Sequence, residues 1–124
     1  MKYLLIVTTC FLAVSFSANA QKIQKIEIQT SAVCEMCQYT IEKDMAFEKG
    51  VESATLDLDT KKLLVTFNSK KTSPETIRKR ITLIGYDADS LKRDAKAHSK
   101  LPYCCQSDEN GVPFVDHGDD HKDE

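Results

Sequence analysis

The sequence predicts an α+β domain with the element order strand, helix, strand, strand, helix, strand. Three observations carry that reading. Apolar and polar residues alternate around Ile26–Thr30, Ala54–Leu58 and Leu63–Phe67, the period of half-buried strands. Elsewhere the period lengthens: Cys37, Ile41 and Met45 recur every fourth residue, and Ile77, Ile81 and Ile84 fall at i, i+4 and i+7, as on two one-faced helices. Turn and cap residues stand where these segments must end.

In chain order, Ile26, Ile28 and Thr30 alternate with Glu27 and Gln29 to give the first strand. The first helix carries the Cys37, Ile41, Met45 stripe and stops at Gly50, which tolerates a left-handed backbone. VESATLDLD alternates at Ala54, Leu56 and Leu58, Asp59 to Lys62 read as a hairpin turn, and KLLVTFN puts Leu63, Val65 and Phe67 on one face. Ser73 caps the second helix, Pro74 suits its first turn, and Gly85 stands at its C-terminus. Tyr86 to Asp89 is at best a short last strand. The order βαββαβ is that of the ferredoxin-like sandwich, with two helices on one face of an antiparallel four-stranded sheet. Ile41, Met45, Leu56, Val65, Ile77 and Ile81 are its expected core.

Residues 1–20 have the form of a secretory signal peptide: Lys2, an apolar run from Tyr3 to Phe16, and the small-x-small site Ala18-Asn19-Ala20. The run is shorter than the roughly 20 residues of a membrane span. The expectation is a periplasmic or secreted chain with no stable membrane insertion after cleavage. With 17 Lys and Arg against 19 Asp and Glu, interspersed, the chain has no basic footprint for nucleic acid or an acidic membrane. Cys10 leaves with the signal, and Cys34, Cys37, Cys104 and Cys105 remain. An even count in an exported chain first suggests disulfides.

The stretch SAVCEMCQYTIEK sets Cys34 and Cys37 two residues apart, where strand hands over to helix. Two thiolates on a loop and a first helical turn can converge on one ion. Soft sulfur favours Cu(I) and also binds Zn(II), and Hg(II) suits the pair by the same softness. A helix N-terminus stabilises a thiolate, and the expectation is that Cys37 benefits most, with Glu35 opposing. Two ligands leave an ion open to a partner's thiols, which suits a carrier; a closed four-ligand site suits storage or structure.

A CxxC between the first strand and first helix, "GV" opening the second strand, and "GYDA" after the second helix together resemble the heavy-metal-associated domain family. The resemblance covers about residues 22 to 89 and defines a domain over 21–89. It implies that Cys34 and Cys37 are metal ligands and that Cu(I) or another thiophilic ion is the cargo, with no catalysis. It implies a metal-transporting ATPase or other metal-acceptor protein as partner, and a transient metal-bridged dimer. It extends to Tyr86 the role of an aromatic that shields the metal, and it turns Met36 toward solvent. The family's Gly-Met-Thr before the first cysteine is replaced by Ser31-Ala32-Val33, so the support below the metal loop is looser or differently filled.

Two rival readings use the same cysteines. A thiol–disulfide oxidoreductase would exploit a helix-terminal thiolate. It would also want a longer α/β domain and a proline opening a strand near the cysteines; Pro74 opens a helix, and Pro102 and Pro113 lie in the tail. A disulfide-stapled structural or interaction domain needs no open thiols.

Past residue 89 the resemblance ends. Ser90 to Lys100 are good helix formers stopped by Pro102, so 90–105 is predicted as a helical extension ending in Cys104-Cys105, with His98 on its surface. If that helix reverses the direction of the last strand, it returns the pair over Cys34 and Cys37. There Cys104 and Cys105 would add a third or fourth sulfur or exchange disulfides with the clamp. Otherwise they form a vicinal disulfide, join a second chain or sit on the surface. Residues 106–124 are predicted as a disordered acidic tail, in which His117 and His121, among Asp116, Asp119 and Asp120, hold a borderline divalent ion weakly at most.

Overall fold

The computed structural model describes residues 22–114, so the expected signal segment and the His117/His121 tail lie outside the described residues. Strands β1 (Ile23–Gln29), β2 (Val51–Asp57) and β3 (Lys62–Asn68) form one antiparallel sheet in the order β1-β3-β2. Helices α1 (Glu35–Ala46) and α2 (Pro74–Ile84) alternate with the strands. A short α3 (Ala95–Ser99) and a 3-10 turn at Tyr103–Cys105 follow. This is the ferredoxin-like arrangement that the sequence predicts.

β3 is central because it carries the densest apolar face: Leu63, Val65 and Phe67 are fully buried. The register sets Ile28 and Leu56 on either side of Leu63, and Ile26 and Ala54 on either side of Val65, so the middle of one face of the sheet is apolar. Ile41 and Met45 of α1 and Ile77 and Ile81 of α2 close over that face with no exposed surface. Each such aliphatic side chain contributes about 1.5–3 kcal/mol by leaving water. All six expected core residues are found there.

The helix ends follow the sequence. Ser73 accepts the Thr76 N–H at 3.2 Å, Pro74 opens α2, and Gly85 ends it in the left-handed region at φ 113°. Gly85 meets a second demand, since a Cβ there would stand 2.9 Å from the backbone nitrogen of His98. Edge strand β2 is tied to α1 by side chains: Glu42 accepts the Leu56 N–H at 2.7 Å and Gln38 donates to the Leu56 carbonyl at 2.8 Å.

Four expectations need correction. The fourth strand shrinks to isolated bridges of Ala88 with Thr30 and with Leu91. Asp89 turns the chain away at φ 51°, and its carboxylate takes the Gln29 N–H at 2.9 Å that a longer strand would have paired. The extension is not helical from Ser90. The Asp89 turn and the Arg93 N–H donated to Asp87 (2.9 Å) hold 90–93 in another path, and α3 begins only after its cap, Asp94. His98 is not a surface residue but is buried, 8% exposed. Residues 106–114 are not disordered but form a closed loop: Phe114 donates to the Gln106 carbonyl, and the Asp108 carboxylate accepts the Asn110 and Val112 N–H groups. Among the described residues no helix is long and apolar enough to cross a membrane.

Candidate metal site

The loop between β1 and α1 is pinned from two sides. Thr30 donates through its N–H and its hydroxyl to the Lys61 carbonyl, both at 2.9 Å, which fixes the loop to the β2–β3 turn. The Ser31 hydroxyl accepts the Asp87 N–H at 2.9 Å, which fixes it to the segment after α2. Ala32 is fully buried in the same cluster as Cys37, Tyr86 and Cys105. The loop thus rests on a small residue buried in a core to which the C-terminal segment also contributes.

Cys34 is the N-cap of α1 and half-buried; Cys37, one turn on, faces the core with no exposure. Their sulfurs lie 3.3 Å apart. Cys105 is also fully buried, and its sulfur lies 3.7 Å from that of Cys34. Cys104 is half-buried with its sulfur 3.9 Å from that of Cys105. The sulfurs of Cys34, Cys104 and Cys105 all lie within 4.8 Å of one another. The sequence's conditional geometry, a chain that reverses and returns its last cysteines to the first pair, is what the structure contains, although α3 is shorter than predicted. All four thiols are free.

The two clamp thiols differ. Burial works to raise Cys34, but the Cys37 and Met36 N–H groups and the thiols of Cys37 and Cys105 outweigh it and hold Cys34 below the ordinary thiol value. Burial raises Cys37 above that value despite the Val33 N–H. The expectation that the helix N-terminus favours Cys37 as thiolate is thus reversed. Cys34 sits at the cap where the N–H groups point, and Cys37 has turned into the core. Cys105 is pushed up, first by burial and then by the neighbouring Cys37 and Cys34.

Tyr86 has no exposed surface. Its hydroxyl is buried without a hydrogen-bond partner, and burial, followed by the neighbouring Cys37 and Cys105, raises its pKa far above a free phenol's. It lies in the same buried cluster as Cys37 and Cys105. Met36 is 49% exposed, on the outer side of the motif.

Sequence reasoning missed the residues that bring Cys105 here. The Arg93 guanidinium donates to the Ser107 hydroxyl and to the carbonyls of Ser107 and Asp108, at 2.7–2.9 Å. His98 Nδ1 lies 2.9 Å from the Gly85 carbonyl, and the Ser107 N–H donates to its Nε2 at 3.2 Å. The Ser107 carbonyl is already served by Arg93, so the consistent tautomer carries its proton on Nδ1. One pattern was available: His98, Leu101 and Cys105 stand at i, i+3 and i+7, and all three are at least partly buried.

A soft, sulfur-only donor set beside a buried, unpartnered hydroxyl suits Cu(I) or another thiophilic ion. The sequence profile of the heavy-metal-associated domain matches residues 31–87, which include Cys34, Cys37 and Tyr86 but not Cys104 or Cys105. The copper chaperone CopZ of Staphylococcus epidermidis is 36% identical over 67 residues, which are 54% of this chain and 94% of the chaperone. A copper-exporting P-type ATPase of the same species is 35% identical over 78 residues, 62% of this chain but only 10% of the ATPase. Among solved structures, oxidized MerP from Ralstonia metallidurans CH34 superposes with a TM-score of 0.52 at 25% identity, over 54% of this chain and 94% of that one. With the fold, the cysteine pair at the helix N-terminus and a chaperone covered almost end to end, the chain belongs to the heavy-metal-associated domain family.

Proposed function

We propose that this chain is an exported carrier of Cu(I), or of a comparably thiophilic ion such as Hg(II) or Zn(II). The ion is loaded on Cys34 and Cys37 and passed to a metal-transporting ATPase or another metal-acceptor protein. The observation that carries the reading is the asymmetry of the pair: sulfurs 3.3 Å apart, with Cys34 reachable from solvent and Cys37 fixed in the core. A fixed sulfur keeps the ion placed while a reachable one lets a partner's thiolate approach, so the ion changes hands by ligand exchange and is never free. Softness favours Cu(I) over harder cations, and the copper-named relatives support that choice. The signal-like residues 1–20 support a periplasmic or extracellular setting. There the pair must be kept reduced to bind, because a disulfide offers no thiolate.

One observation favours a second reading. A reachable Cys34 with a lowered pKa in front of a buried Cys37 is also the arrangement of a thiol–disulfide oxidoreductase. The two separate in one experiment. Under anaerobic conditions, reduced parent is expected to bind Cu(I) against a chromogenic chelator and to leave insulin disulfides intact. Cys34→Ser with Cys37→Ser is expected to lose tight binding and keep the circular dichroism spectrum of the parent. Undiminished Cu(I) affinity in the double variant would refute the site.

A further inference from the structure

Resting on that reading of Cys34 and Cys37, we propose that Cys105 is a third metal ligand, and that the segment from Ser90 to Ser107 exists to deliver it. The ion is then held by three sulfurs of one chain instead of two.

Sulfur spacing is the first argument. With metal–sulfur bonds of about 2.3 Å, two ligands in a line stand about 4.6 Å apart and three in a plane about 4.0 Å apart. The Cys34–Cys37 spacing of 3.3 Å and the Cys34–Cys105 spacing of 3.7 Å both lie nearer the planar value. A linear pair would have to open by more than 1 Å in a loop that Thr30 and Ser31 pin on both sides. Three sulfurs on an ion ask less of the same loop: about 0.7 Å more between Cys34 and Cys37 and about 0.3 Å more between Cys34 and Cys105.

The second argument is the Tyr86 hydroxyl. A buried O–H with no partner is costly, about 1–3 kcal/mol, and this one lies against the thiols of Cys37 and Cys105. Metal binding converts those thiols to thiolates and releases their protons to solvent. The hydroxyl then faces strong acceptors on both sides. A loaded Cys105 thiolate, beside that of Cys37, would give the orphan donor an acceptor.

The third argument is the way Cys105 is held. A buried cysteine is ordinarily a small hydrophobic filler. Here the chain on either side of it is tied by ionic and polar anchors: Arg93 to Ser107 and Asp108, His98 to Gly85 and Ser107, and Gln106 to the Leu101 carbonyl. These anchors specify a position rather than merely bury a side chain. Cys104 also lies within 4.8 Å of Cys34 and Cys105, but it is half-buried where Cys105 has no exposed surface, which makes Cys105 the inner of the two.

A three-sulfur site is tighter and slower to release than an open pair, because Cys105 must yield before an acceptor's thiolate can take its place. The test is X-ray absorption of the Cu(I)-loaded chain, with native mass spectrometry fixing one ion per single chain so that no metal-bridged pair supplies the third sulfur. The parent is expected to show three sulfurs per ion. Cys105→Ala, a small apolar filler for the same buried position, is expected to show two. Its Cu(I) affinity should fall at least about tenfold, the low end of what loss of even an outer partner costs. Two sulfurs in the parent, or an unchanged count in Cys105→Ala, overturns the proposal; the parent's count decides it even if the variant folds poorly. Two sulfurs in the parent together with no binding by Cys34→Ser/Cys37→Ser would remove Cys105 and leave the carrier reading intact. Full binding by that double variant would remove the carrier reading itself.

Discussion

The sheet with its two long helices and the segment from Ser90 to Ser107 are both ordered, but by different means. The first buries eleven aliphatic, aromatic or sulfur-bearing side chains such as Ile41, Val65 and Ile81 around one apolar face, if Tyr86 and Ala88 just beyond α2 are set aside with Cys105. The second buries only His98, Cys105 and Ser107, and owes its path to hydrogen bonds from Arg93, His98 and Gln106 to backbone atoms. A non-directional force tolerates exchange of one aliphatic residue for another. A path fixed by hydrogen bonds fails when one donor goes, because its buried partner is left unsatisfied. The domain is therefore expected to be robust and the delivery segment brittle.

The largest effect should come from the domain. Ile81→Ala removes a fully buried side chain and is expected to cost about 2–5 kcal/mol of global stability, read as a shifted urea midpoint. If it costs under about 1 kcal/mol, within the range of a surface change, the apolar core is not what holds the sheet. His98→Ala sharpens the contrast. It orphans the Gly85 carbonyl and the Ser107 N–H and is expected to cost about 1–3 kcal/mol. That loss should be local: hydrogen exchange at Ser107 and alkylation of Cys105 accelerate while the amides of β3 stay protected. Equal acceleration in β3 would mean that the two regions unfold as one unit.

The smallest effect tests the junction. Burial raises the Asp89 carboxyl, but Arg78 at 2.7 Å and the Gln29 N–H outweigh it and hold it below the usual carboxylate range. A lowered folded pKa contributes stability above the unfolded value, lost as pH falls through the folded one. Both partners are about one-third exposed, so solvent screening keeps the contribution small. Asp89→Asn is expected to flatten the acid end of the stability curve slightly, measured by urea titration from pH 6 down to about 3, which brackets the ordinary carboxylate pKa. An unchanged acid slope would mean that the pair contributes nothing.

The same division of forces decided what could be read from the sequence. Period and caps are local properties of the chain, so β1, α1, the hairpin and α2 were legible, as was the Cys34–Cys37 pair at the start of a helix. The last strand was not, because its loss depends on a carboxylate, Asp89, meeting Gln29 sixty residues earlier in the chain. His98 read as a surface residue because an imidazole carries no apolar signal; only its carbonyl and amide partners, Gly85 and Ser107, make burial affordable. Cys105 was legible as a conditional geometry, since a chain leaving the metal end must reverse to return. The order of acidity in the pair was misread because spacing says which residues open a helix but not which of them turns inward.

Each margin of the sheet is closed at one point by a carboxylate: Glu42 on the Leu56 N–H of β2, and Asp89 on the Gln29 N–H of β1. An unpaired strand margin is a template for another chain, and proteins guard such margins with charge. Here the guards are acidic on both sides, and along β1 they are joined by Lys22 and Lys25. Two molecules approaching margin to margin meet charged side chains of both signs and, at these points, occupied N–H groups. The sides of the fold are thereby kept from pairing with further copies of the chain.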